Sequence, residues 1–457
     1  MSTMREEHDS MGTVCIPSDK LWGAQTERSR RNFPIGTETM PTEIIYAFGV
    51  IKKAAARVNH ALLPEKMTDE KCEAICAAAD EIMAGSLQDH FPLVVWQTGS
   101  GTHSNMNVNE VITCRANQLA GKALLHPNDD VNLSQSSNDT FPTAMHIASV
   151  LAIEDRLLPE LDRMIDELYR LETENAGVLK IGRTHLQDAV PIRFSQEISG
   201  WRASLEQDRN MISASLPPLR ELALGGTAVG TGMNAPEGFD RLVAAEIAGL
   251  TGKPFITAKN KFHALTSLDE MTFTHGAMKS LAADLMKMAN DIRWLASGPR
   301  CGLGEISIPA NEPGSSIMPG KVNPTQCEQV TMVAVQVMAN DTAVGLAASQ
   351  GNFQLNVFLP VCAYNFLQSV RLLTDSIHTF LKNCISGIRA NRSGMEKNLQ
   401  RSLMLVTALS PHIGYESAAR VAELAFQEDI TLREAYIRLG FLTEDRFDTV
   451  FHIEEMV

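Results

Sequence analysis

Apolar residues recurring at three- and four-residue steps over very long stretches restrict this chain more than any other feature. Val150, Leu151, Leu157, Leu158, Leu161, Met164, Ile165, Leu168 and Leu171 form one such stripe, the signature of one face of a long α-helix. Ile198, Trp201, Leu205 and Ile212 form a second, and Leu268, Met271, Met278, Leu281, Leu285, Met288, Ile292 and Leu295 a third. Phe366, Val370, Leu373, Ile377, Phe380 and Cys384 form a fourth. Helices of ~30 residues extend ~45 Å, so several together predict a bundle with apolar seams on more than one side. An oligomer with a shared helical core follows; the alternative is that the second apolar faces pack on the chain's own flanking segments.

At 457 residues the chain exceeds one simple core, which predicts two or three subdomains. Hydrophobic residues make up 44% but aromatics only 6%, with 21 methionines, a balance suited to aliphatic helices rather than a β-sandwich. The predicted fold class is all-α. Residues 1–136 read as a mixed domain in which short helical patterns alternate with polar, Gly- and Asn-rich loops, notably 97–109. Residues 137–388 read as the long-helix bundle. The break at 389–394 opens a small helical C-terminal domain, 389–457.

The formal net charge of −14 disfavours nucleic acid and anionic membrane surfaces as partners. An anionic substrate then needs a locally positive pocket. No stretch reaches the ~18 apolar residues of a membrane span, and the start lacks a secretory or transit pattern, so a cytoplasmic protein is expected. The eight cysteines are scattered without Cys-x-x-Cys or zinc spacing, which predicts reduced thiols and neither metal nor cofactor. Cys72 and Cys76, at i and i+4 on a predicted helix, read as small core residues.

Five polar segments carry chemistry. Residues 314–328 combine Ser315, Ser316, Lys321, Asn323 and Glu328 with Pro313, Gly314, Pro319, Gly320 and Pro324, so neither helix nor strand runs through them. A surface turn would explain an isolated Gly-Ser-Ser, but not the lysine and glutamate beside it. Residues 134–140, with Ser136, Ser137 and Asn138, precede a long helix, where free backbone N–H groups favour an anion. One of Asn138, Asp139 and Thr140 is expected simply to cap that helix. Residues 182–188 set Thr184 and His185 in a loop, where His185 is a proton handler or a structural histidine. Ser100, Gly101 and Thr102 lie in the 97–109 run, and residues 126–130 are equally a plain turn.

Hydroxyls, amides, one lysine and one histidine suit addition of water beside a carboxylate, or loss of a leaving group from that carbon. Such reactions pass through a carbanion whose charge spreads into the carboxylate, where a lysine and neutral donors stabilise it.

With these residues in view the chain resembles the class II fumarases, the metal-free fumarate hydratases of the fumarase/aspartase superfamily. Matching blocks are residues 19–26, 97–109, 126–143, 182–188, 223–232, 294–328 and 351–358. The loop pattern GSSxMPxKxNP is shared across the superfamily, whereas Gly320, the Thr325–Glu328 ending, Asp129 and the 136–141 run match the fumarase version. The resemblance implies a three-domain helical subunit and a homotetramer whose central helices form one bundle, with each active site built from three subunits. It implies reversible hydration of fumarate to malate, a step of the tricarboxylic acid cycle, without metal or cofactor.

Residue by residue, the resemblance makes Ser315 the base that takes the proton from malate, with Lys321 and Asn323 on the carboxylate. His185, oriented by Glu328, handles the water. Ser100, Gly101, Thr102, Ser136, Ser137, Asn138, Thr184 and Ser316 contribute substrate contacts. His126, Pro127, Asn128 and Asp129 match the family's second dicarboxylate site, although the segment 116–125 before it is shorter than in well-known fumarases. Aspartate ammonia-lyase and a non-catalytic relative are the alternatives; the joint presence of Ser315, Lys321, Asn323, His185 and Glu328 opposes the second.

Overall fold

The computed structural model describes residues 3–441, 443, 447, 449 and 451–457. Among them are sixteen α-helices, while strands pair only in twos. The fold is therefore all-α in character. Each apolar stripe becomes a helix: Ser137–Ala152 continued through a π turn by Leu158–Glu174, then Phe194–Leu219, Asp269–Leu295 and Leu359–Asn383. A further long helix, Thr325–Ala348, follows the Pro- and Gly-rich loop.

Thr325–Ala348 corrects one expectation. Its length and mean hydropathy of 1.3 reach the level of a membrane span, and only 33% of that window is buried. The helix nevertheless carries Asn340 and Asp341, which bond to Ser369 and His275 at 3.0 Å each.

The chain forms two compact units, one of Met1–Pro159, Asn210–Ser280 and Val335–Leu373, the other of Glu160–Arg209, Leu281–Ala334 and Thr374–Val457. In the first, helix Thr42–Leu62 packs against Asp69–Met83, Thr102–Ala120, Ser137–Ala152 and Phe239–Thr251. Ile44, Phe48, Ile51 and Phe141 are fully buried there, each worth roughly 1.5–3 kcal/mol of apolar transfer. The rings of Phe48 and Phe141 lie 6.0 Å apart at 59°, a tilted geometry that aromatic quadrupoles favour.

The 97–109 run is not a loop throughout, because helix Thr102–Ala120 begins inside it. Ser104, Asn105, Asn107 and Asn109 are buried, and their amides find partners: Asn107 donates to the His90 carbonyl at 3.0 Å and Asn109 to Asn132 Oδ1 at 3.1 Å. Amides buried and bonded in this way leave no apolar stripe to read, although Asn109 Oδ1 finds no partner among the described residues.

In the second unit the expected loop at 182–188 is instead the turn of a hairpin. Leu179–Thr184 pairs antiparallel with Gln187–Arg193, with Thr184 opposite Gln187. His185 and Leu186 fill the two-residue turn at φ +57° and +60°, the left-handed geometry that matches strand twist. Ile181 secures the hairpin by joining the buried cluster of Leu399, Leu405, Leu409, Val421 and Tyr436.

Buried charge secures it too. Lys180, 1% exposed, lies 3.1 Å from Glu197 and 3.4 Å from the fully buried Glu305. Arg183 grips Glu305 with two nitrogens at 2.6 and 3.1 Å, and Asn398 adds a bond of 3.1 Å. Burial pushes the Glu305 carboxyl up, but the Arg183 bonds, the Lys180 charge and Asn398 outweigh it and hold the group below the usual 4.5. Glu197 is raised, chiefly by burial.

Removing Glu305 leaves the Arg183 guanidinium without its carboxylate and the buried Lys180 ammonium with Glu197 as its remaining carboxylate, so Glu305→Ala should cost roughly 3–5 kcal/mol, read as a lower denaturant midpoint. Because its folded pKa is depressed, the Glu305 contribution is complete above the unfolded value and is lost as pH falls through the folded one. Wild-type stability should therefore fall on acidification below the ordinary carboxylate range, and the variant's should fall less. A variant as stable as wild type would show the cluster to be dispensable.

Candidate active site

Two strand residues, Ile306–Ser307, pair with Arg389–Ala390, and from there the chain runs irregularly to Thr325. The loop clasps itself. Gly314 N donates to the Lys321 carbonyl at 2.7 Å, and Asn323 Nδ2 donates to the Gly314 carbonyl at 2.8 Å. A Cβ on Gly314 would stand 2.5 Å from that Lys321 oxygen, so no side chain fits there. Inside the clasp Ser315 Oγ accepts N–H bonds from Ile317 at 3.2 Å and Met318 at 3.1 Å. Donors aimed at a hydroxyl oxygen stabilise its alkoxide, which is what a serine needs to act as a base. Lys321 Nζ donates to Asn323 Oδ1 at 2.7 Å, so the cation and amide stand together.

His185 and Thr184, at the hairpin tip, are exposed, as are Ser316 and, in the first turn of Thr325–Ala348, Glu328. Among the described residues no hydrogen bond joins His185 to Glu328 within the chain. Both side chains stand open to a further partner.

In the first unit, Ser100 Oγ and Thr102 Oγ1 are 2.9 Å apart at the start of helix Thr102–Ala120. Gly101, at φ +72°, precedes it, and a Cβ there would meet the Phe141 ring at 2.0 Å. The cap of helix Ser137–Ala152 is Ser136 rather than Asn138, Asp139 or Thr140. Ser136 Oγ accepts from Asn138 N at 3.2 Å, and Asp139 Oδ1 accepts from Ser136 N at 2.9 Å, a reciprocal capping box. The other Asp139 oxygen accepts from Gly225 N at 2.9 Å and Thr227 N at 2.8 Å. Burial pushes this carboxyl up to about 6 against those three donors. Asn138 Nδ2 donates to the Ala228 carbonyl at 2.8 Å, so residues 225–228 brace the helix start.

Pro127, Asn128 and Asp129 form a single π turn, Pro127–Val131, capped by His126, whose Nδ1 accepts from Asp129 N at 3.3 Å. Asp130 holds this turn by accepting from His126 N at 2.7 Å and from Lys71 at 2.6 Å. The short connection before it is tied down by Asn117 Oδ1, which accepts from Leu124 N at 2.9 Å and Leu125 N at 2.8 Å. Arg5, His8, Lys122 and His126 line a cavity of about 580 Å³ beside the turn.

Sequence reasoning missed Lys52 under Ser137, and marked Asn105 only as part of the polar run 97–109. The signal was present, since Lys52 falls on the stripe Ile45, Phe48, Ala55, Asn59 of an inward helix face. Away from the residues singled out, His263, Asp269 and Glu270 bring three potential ligand atoms within 4.8 Å of one another. Ser267 and the imidazole already engage Asp269, at 2.6 and 3.3 Å.

The chain matches the family model described as lyase over residues 12–339, and the model of the fumarase C C-terminus over residues 405–457. It is 61% identical to a class II fumarate hydratase of Oceanobacillus iheyensis, with 99% of this chain and 98% of that protein aligned. It is 59% identical to the corresponding protein of Bacillus cereus at the same coverage. Among solved structures, a class II fumarase from Schistosoma mansoni superimposes with a TM-score of 0.95 at 43% identity, covering 99% of each chain. The aspartase alternative is not favoured. The chain belongs to the class II fumarate hydratase family.

Proposed function

We propose that this chain hydrates fumarate to malate, and the reverse, by metal-independent acid–base catalysis in the tricarboxylic acid cycle. The observation that carries the mechanism is the pair of backbone N–H groups on Ser315 Oγ, at 3.2 and 3.1 Å. In the direction of water loss, Ser315 takes the proton from the malate carbon beside the carboxylate. The electron pair left behind spreads into that carboxylate, where Lys321 and Asn323 meet the second negative charge. Hydroxide then leaves from the neighbouring carbon and is protonated to water by His185, with Glu328 orienting the imidazole. Ser100, Thr102, Ser136, Ser137, Asn138, Thr184 and Ser316 bind the dicarboxylate, and His126, Asn128 and Asp129 hold a second one.

The proposed assembly is a homotetramer with sites shared between subunits. Met332, Val335 and Leu346, on helix Thr325–Ala348, are 66, 59 and 62% exposed, an apolar surface that a further copy would cover. A cytoplasmic setting is supported by eight cysteines that are all free thiols.

Purified protein given fumarate should remove the ultraviolet absorbance of the double bond without ammonium, at a rate that a chelator does not change. Consumption that requires ammonium and yields aspartate would overturn the hydratase reading. Ser315→Ala and His185→Asn should each lower kcat ~10²–10⁴-fold with the unfolding midpoint retained. Near-normal turnover in either variant would remove that residue from the mechanism.

A further inference from the structure

Lys52 is completely buried in helix Thr42–Leu62, and among the described residues no carboxylate pairs with its ammonium. Its three contacts are neutral amide oxygens: Asn105 Oδ1 at 2.8 Å, Gln135 Oε1 at 2.9 Å and Asn132 Oδ1 at 3.2 Å. An ammonium has donors only, so each amide must turn its oxygen inward. For Asn105 the choice is enforced twice, because Thr140 Oγ1 also donates to Oδ1, at 3.2 Å. Its NH₂ therefore points the other way, donating to Asn132 Oδ1 at 3.1 Å and Ser137 Oγ at 3.0 Å. With an N–H on its oxygen, the Ser137 hydroxyl hydrogen is left to point outward. Gln135, oriented by the same ammonium, donates to the carbonyls of Val131 and Leu133 at 3.1 and 3.0 Å, which fixes the turn leading to Ser136.

We propose that Lys52 is a positioning residue for substrate binding: through Asn105 it sets Ser137 as a hydrogen-bond donor toward the bound carboxylate, and it places a fixed positive charge beneath that site. The proposal rests on the assignment of Ser137 to the dicarboxylate site. A purely structural lysine would need neither the directed chain of bonds nor its end at a substrate hydroxyl.

The protonation state supports a distinct test. Burial pushes the Lys52 ammonium down to about 7, opposed by the charge of Asp139 on helix Ser137–Ala152. Helix Thr102–Ala120 and the turn at 132–135 present only the neutral amides of Asn105, Asn132 and Gln135 to it. Since the unfolded value is 10.5, the unfolded chain binds more protons between about 7 and that value, and this group's contribution to stability rises with pH there. Substrate affinity should move the opposite way, because the neutral amine no longer places a positive charge beneath the carboxylate site and holds the Asn105 oxygen less firmly.

Steady-state kinetics of the full-length protein with fumarate decide the matter. Asn105→Asp keeps an acceptor for Lys52 but offers no N–H to Ser137, which must then turn its hydroxyl inward. KM should rise about 10- to 100-fold, as loss of a hydrogen bond to a charged group implies, with kcat reduced far less and the unfolding midpoint retained. Lys52→Met should raise KM similarly and abolish the rise of KM that wild type shows above pH ~7. Should Lys52→Met not fold, Asn105→Asp and the wild-type pH profile suffice. An Asn105→Asp variant with wild-type KM, where Ser137→Ala raises KM, would overturn the proposal alone. Unchanged KM in Ser137→Ala would overturn the site assignment and the proposal with it.

Discussion

A charge taken out of water must be met by donors, acceptors or opposite charge, and in this chain those partners are the polar segments of the candidate site. Asp139 gathers the N–H groups of Ser136, Gly225 and Thr227 around the start of one helix. Glu305 draws Arg183, Lys180 and Asn398 under the hairpin that carries His185. Lys52 aligns three amides behind Ser137. Leaving any of these groups buried and unpaired costs several kcal/mol, so loops that look free in sequence are held in one arrangement. The exposed hydroxyls and amides inherit that order without spending binding energy on it.

The Ser315 loop reaches the same end without a buried charge. Its clasp at Gly314, Lys321 and Asn323 is made of backbone and amide groups, and the result is a serine oxygen already supplied with two donors. Stabilisation arranged before the reaction acts when charge develops and requires no reorganisation then. Lys321 is spent on Asn323 rather than on Ser315, so the amides, not the lysine, favour the serine alkoxide.

Much of this was legible in the sequence. The four apolar stripes became helices because aliphatic side chains on a 3.6-residue period have no better place than a helical seam, and the Pro and Gly spacing of 313–324 predicted the irregular loop. The groups that carry no hydropathy signal are polar and inward. Asn105, Asn107 and Asn109 are buried on helix Thr102–Ala120 in a run that reads as a loop, because buried amides leave no apolar period. The hairpin at 179–193 was hidden because its turn uses His185 and Leu186 at positive φ instead of the usual Asn-Gly. Ser136 reads in the sequence as a ligand group and in the structure also caps a helix, two roles that a single letter does not separate.

His185 and Glu328, which the proposed mechanism pairs, stand exposed without a mutual bond in the single chain. In the proposed tetramer they meet across subunits, and His185 of one chain serves the Ser315 of another. Subunit exchange between Ser315→Ala and His185→Asn chains tests this most directly, because some hybrid sites then combine an intact serine with an intact histidine. The account predicts fumarate hydration by the mixture well above the sum of the two variants assayed apart. A mixture no more active than that sum, with hybrid assemblies verified by mass, would contradict it.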